Sequence, residues 1–199
     1  MEGVAYLMNN YSLSKQQARA AIYEHVRLCL DICHFAVEYE NSKKVLKKLK
    51  KKKIQVGKIQ ISAAIKTKLK HNKKALKAIR TNLTPYNEST YLHQTIFKTK
   101  QKKLEKFPDL EPALAALSNP NYQELRTHFH VPIFTDSYGI LQSTQDEIIK
   151  VLQLWKQQSF SNHLEVETYT WDVLPDNNQL ELTESIAREL QWTIDLIGS

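Results

Sequence analysis

His128 and His130 stand two residues apart, and Glu165 and Glu167 repeat that spacing further along the chain. In an extended segment, residues two apart share one face. Asp31 and His34 bracket a cysteine in DICH, and Gln60 lies near the end of VGKIQIS. Carboxylate, imidazole and amide groups drawn from four separate runs make an oxygen-and-nitrogen ligand set suited to a divalent ion such as Zn²⁺, Mn²⁺ or Mg²⁺. A cation held this way polarises a hydroxyl or carbonyl oxygen, and a neighbouring imidazole or carboxylate moves the proton. On this reading Asp31, His34, Gln60, His128 and Glu167 are metal ligands, and His130 and Glu165 are the proton-transfer groups. His93, in TYLHQ, lies over the rim, while Tyr169 and Trp171 wall a pocket with apolar surface. Plainer roles exist for the same residues. A strand histidine is commonly hydrogen-bonded and half-buried, Asp31 suits the cap of a following helix, and Glu165 suits an outward salt bridge.

Four strands must carry these groups, and the pattern supplies four. Leu28–Cys33, Ile54–Ser62, LRTHFHVPIF and NHLEVETYTW are short apolar or alternating runs, the third stopped by Pro132. Helical spacing fills the intervals. Ser14 caps KQQARAAIYEHV; Val37, Val45, Leu46 and Leu49 follow, with a break around Asn41 and Ser42. Ile65, Leu69, Leu76 and Ile79 resume helical spacing, and Glu111–Leu117 forms a short helix. Thr144 caps QDEIIKVLQLWKQQ, and Thr183 opens ESIARELQWTIDLI. Residues 84–109, with Pro85 and Pro108, form a hairpin-like insertion. Strands alternating with helices predict a parallel sheet whose chemistry gathers at the carboxyl ends. Four such units equal half of a (β/α)₈ barrel, or a small open α/β sheet. No Gly-rich phosphate loop follows any strand, so the nucleotide-binding motif of doubly wound folds is missing.

The 199 residues, 42% hydrophobic and 25% charged, match an ordinary globular domain. Of the charge of +7, the eight lysines between Lys43 and Lys53 account for all, since the other basic residues nearly balance 21 acidic ones. Val45, Leu46 and Leu49 give that run helical periodicity, and no aromatic residue interleaves with its lysines. It therefore predicts a solvated helix face, and a nucleic-acid partner is not expected. No membrane span is expected, and the amino-terminal residues lack the layout of a secretory signal, so the expected location is cytoplasmic. Cys29 and Cys33 in one strand would stand ~13 Å apart, beyond disulfide reach, which points to a reducing compartment.

These same strings carry a family resemblance. DICH resembles the D-x-C-H of the fifth strand in xylose-isomerase-like barrels, GKIQI the sixth-strand G-x-I-Q-I of hydroxypyruvate-isomerase relatives, and VET the eighth-strand E-T. More specifically, LCLDICHFAVEYE, VGKIQIS, TYLHQ, RTHFHVPIF and HLEVETYTWDVLP together resemble the metabolite-traffic EboE family. The resemblance implies an α/β fold, a TIM barrel of which residues 1–199 form one domain equivalent to the carboxyl half, strands five to eight. It implies metal-ligand roles for Asp31, His34 and Glu167, a place at the metal site for Gln60, and a small secondary or polyol-like metabolite linked to export as partner. The superfamily's fourth-strand glutamate has no counterpart, which implies that the isolated half is inactive. The alternative is a metal-dependent sugar or sugar-phosphate isomerase or epimerase; apurinic-site endonuclease activity ranks below both. A half barrel leaves open strand edges, so a missing amino-terminal half or self-association is expected to cover them.

Overall fold

The computed structural model describes residues 2–167 and 182–198. Two helices open the chain, α1 (Glu2–Tyr11) and α2 (Lys15–His25), before β1 (Leu28–Asp31). Ser14 forms the expected cap of α2, completed as a capping box by Gln17. α1 has no counterpart in the sequence reading. It packs on α2 at Gly3, where a Cβ would stand 3.3 Å from Ile22 Cδ1. The helical run after β1 is broken as its polar pair predicts, into α3 (Ile32–Val37) and α4 (Ser42–Lys51), with Asn41 accepting a hydrogen bond from Lys44 N.

β2 (Val56–Ile61) lies between β1 and β9 (Leu164–Val166), all three parallel. Alternation gives this sheet two unlike faces. Leu30, Ile59 and Ile61 are fully buried on one side. Cys29, Asp31, Lys58, Gln60 and Glu165 share the other, with Asp31, Gln60 and Glu165 in register across the strands.

Only Ser62 separates β2 from β3 (Ala63–Lys68), which leaves the parallel sheet and enters a second, antiparallel one. That sheet also contains β4 (Thr95–Thr99), β5 (Leu104–Phe107), β6 (Tyr122–Val131), β7 (Ser137–Tyr138) and β8 (Leu141–Ser143), in the order β5-β4-β6-β3-β8-β7. Two expectations are corrected here. The helical spacing at Ile65 and Leu69 does not produce a helix over residues 63–68, because Ala63, Ile65 and Thr67 are buried strand residues paired with β6. The run LRTHFHV is a strand ending before Pro132, yet it runs antiparallel to β3 instead of joining the parallel sheet. The fold is thus mixed α/β, and the described residues form no closed barrel.

Residues 84–109 supply a 3₁₀ turn (Thr84–Tyr86) and the β4–β5 hairpin. β4 is an interior strand, with Ile96 and Phe97 fully buried and Phe97 stacked on Tyr122 at 4.0 Å. Of the later helices, α5 (Lys73–Leu83) and α6 (Leu110–Ala116) flank the β4–β5 hairpin in sequence, and α7 (Gln145–Gln157) precedes β9. α7 buries Ile148, Val151 and Leu152. Thr144 makes no side-chain cap on α7; its Oγ1 accepts from Ala64 N instead, at 2.8 Å. The last helix, α8 (Leu182–Gly198), spans the run that Thr183 was expected to open. Among the described residues no helix is long and apolar enough to cross a membrane.

Candidate functional site

Asp31 ends β1 and caps α3. Its Oδ1 accepts from Cys33 N at 3.0 Å, His34 N at 3.4 Å and Ser62 Oγ at 2.8 Å, while Oδ2 accepts from Gln60 Nε2 at 3.3 Å. This satisfies amide donors that the first turn of a helix leaves open. The capping role read as the plainer option is therefore real, and it has a steric result. Because the strand stops at Asp31, Cys33 does not stay on the Cys29 face but turns inward and is fully buried.

β6 brings His128 and His130 to Cys33 from the antiparallel sheet. Arg126 fastens the two elements together: its Nη1 donates to Ala36 O of α3 at 2.8 Å, and its guanidinium stacks 4.1 Å from the Tyr39 ring centroid. Cys33, His128 and His130 each offer one ligand atom, and these atoms lie within 4.8 Å of one another. The two Nε2 atoms face each other at 3.2 Å. Two imidazoles bound to one tetrahedral Zn²⁺ at 2.0–2.1 Å would separate their nitrogens by ~3.3 Å, close to the spacing of this pair. His34 stacks on His128 with centroids 4.2 Å apart.

Burial sets the protonation of the cluster. Desolvation, then the neighbouring His34, depresses His128 to about 4, with Asp31 opposing. Desolvation, then His128 and His34, depresses His130 to about 3. Both rings are consequently neutral at pH 7 and each keeps a bare nitrogen, the form a metal requires. Burial pushes the Cys33 thiol well above its usual range, and Asp31 and Glu167 add to the effect. The donor set of one thiol and two imidazoles is soft, which favours Zn²⁺ over Mg²⁺.

Glu167 follows β9 and anchors through its backbone N to Ile61 O at 3.1 Å. Its Oε2 lies 3.3 Å from His130 Nδ1. The carboxylate thus faces the ring nitrogen opposite the one that meets His128. Burial raises Glu167 to about 6; hydrogen bonding by Gln60 opposes this and Asp31 reinforces it.

Asp31, His34, Gln60, His128, His130 and Glu167 thus come together at the meeting of the two sheets. The others do not. Glu165 pairs with Lys58 at 2.5 Å and is exposed, because β9 turns it to the open polar face. His93 is 2% exposed, held by Glu88 at 3.2 Å and Asp109 at 3.6 Å, and stacked on Phe129. It braces the β4 entry and does not overhang a rim. Tyr169 and Trp171 lie outside the described residues. Cys33 is the residue the sequence reading left out of the ligand set. A helix cap at Asp31, taken at face value, would have predicted its inward turn.

Fold and cluster together define a mixed α/β protein with a buried thiol–imidazole group beside the carboxyl ends of three parallel strands. No family model, curated protein or solved structure matches the chain.

Proposed function

We propose that this protein holds a divalent metal, Zn²⁺ in the first place, through Cys33, His128 and His130, and binds a small polyol-like or secondary metabolite beside it. The single observation carrying the reading is the convergence of those three ligand atoms within 4.8 Å. Asp31, Gln60 and His34 line the approach and supply groups able to hydrogen-bond hydroxyls. The bound ion would serve as a Lewis acid toward a substrate oxygen. A role in metabolite traffic is what the EboE-like strings contribute to the proposal, together with a xylose-isomerase-like partial barrel. That partial barrel is supported by three parallel strands with one buried apolar face and one open polar face. A cytoplasmic setting belongs to the same reading, since both cysteines are free.

The test is titration of the chain with Zn²⁺ and Mn²⁺ against a chromophoric chelator, comparing wild type with Cys33→Ser and His128→Gln. Stoichiometric Zn²⁺ binding that both substitutions weaken supports the proposal; no binding, or binding indifferent to them, refutes it. A second reading, an isomerase or epimerase, is favoured by the His130–Glu167 pair, which sets an acid–base couple against the cluster. Turnover of aldose or ketose phosphates with metal would establish it, and silence across metals and substrates would leave the binding role.

A further inference from the structure

The lysine run of α4 builds a second site at the opposite end of the parallel strands. A cleft of about 970 Å³ opens beside α4, the carboxyl end of α7 and the segment entering β9. Leu46, Leu49, Val56, Leu154 and Phe160 contribute apolar surface to it. Arg27, Lys43, Lys47, Lys50 and Lys53 also line it, and no aspartate or glutamate does. Lys43, Lys47 and Lys50 stand at i, i+4 and i+7, a single stripe along the helix. Lys44, Lys48, Lys51 and Lys52 are not part of the lining. Half of the run is therefore a solvated face, and the other half walls a cavity.

Local structure fixes Arg27 and the backbone of Lys53 at the cleft. A Cβ on Gly57 would lie 2.9 Å from Arg27 Cβ, so the glycine lets Arg27 cross the start of β2. Arg27 Nε then donates to Glu24 O at 2.9 Å. Lys53 sits at φ 57°, the left-handed position after a helix where glycine or asparagine is usual, and Ile54 N closes the turn on Leu49 O. None of the ion pairs among the described residues involves any of the five cations. A cleft lined by one sign of charge concentrates counter-ions of the other.

We propose that this cleft binds a small organic di- or triphosphate, its phosphates along the Lys43–Lys47–Lys50 stripe and its organic part against Leu154 and Phe160. The cleft is at the upper end of the ~300–1,000 Å³ typical of small-molecule sites. Phe160 is its one aromatic ring apart from His163, whereas a single-stranded nucleic acid is held by a series of stacking rings. The site shares no residue with the Cys33–His128–His130 cluster and stands independently of it.

Calorimetric titration at low salt with ATP, inorganic tripolyphosphate and a short poly-dT oligonucleotide tests this. ATP is expected to bind, and tripolyphosphate more weakly because it leaves the apolar surface unused. Lys47→Ala with Lys50→Ala should weaken ATP by roughly tenfold or more, through loss of charge-assisted phosphate contacts. Lys44→Ala with Lys51→Ala removes the same charge from outside the cleft and should change affinity by about twofold or less. Cys33→Ser should leave ATP binding intact. Absence of ATP binding would overturn the proposal, as would equal weakening by the two lysine pairs. Tripolyphosphate or poly-dT binding more tightly than ATP would overturn it too, the latter marking a nucleic-acid surface.

Discussion

His128 and His130 point their Nε2 atoms at each other across 3.2 Å, although both rings are neutral at physiological pH. Such a pair shares one proton at most, or one cation. With Cys33 alongside, Zn²⁺ should bind with release of the thiol proton, detectable as a buffer-dependent binding enthalpy. Cys33→Ser should weaken Zn²⁺ by more than the ~10–100-fold characteristic of losing an outer-shell partner. Unaltered affinity in that variant would exclude the cluster.

Glu167 contacts His130 at Nδ1, the ring nitrogen opposite the one that faces His128. Glu167→Gln should consequently lower Zn²⁺ affinity by about 10–100-fold without abolishing it. Complete loss in a chelator competition would instead make the carboxylate a direct ligand.

Glu165 differs from Glu167 by two residues and a wholly different environment. Its partner Lys58 is exposed along with it, so solvent and salt screen the pair. Glu165→Gln should leave urea stability nearly unchanged and Zn²⁺ affinity untouched. A large drop in either quantity would restore the catalytic role read from its spacing.

His93 belongs to the scaffold. Wedged between Glu88, Asp109 and Phe129, it should cost about 1–3 kcal/mol when replaced by alanine, since two carboxylates lose a buried partner. Chemical denaturation measures the loss, and metal affinity in the surviving folded fraction should equal that of wild type.

Asp146 predicts a pH dependence. Burial alone would raise its carboxyl, but hydrogen bonds from Lys150 and Lys66 outweigh this and bring it from 3.8 to about 2. A carboxylate depressed in the folded state stabilises fully above its unfolded value and loses that contribution as pH falls through the folded one. Urea unfolding followed from about pH 5 down to about pH 2 should therefore show a shallower decline for Asp146→Asn than for wild type. Parallel curves would remove Asp146 from the acid response.

Local signals in the chain were sufficient for local structure. The Ser14 cap, the break at Asn41 and the stop at Pro132 depend on atoms three or four residues away at most, and each appears where the sequence places it. The shared face of His128 and His130 follows from strand periodicity in the same way, whereas the polar row of Asp31, Gln60 and Glu165 depends on the register between three strands. Strand direction was beyond such signals, because an alternation of period two reads identically in parallel and antiparallel sheets. Pairing of Ala63 with Val131 made β6 antiparallel and delivered its imidazoles to Cys33 from an unexpected side. Thr144 was diverted from its helix in a similar manner, by an amide 80 residues away at Ala64. Sequence alone determined which groups were present and which neighbours shared a face. Tertiary structure decided which of them meet, since burial and hydrogen-bond satisfaction are settled between segments far apart in the chain.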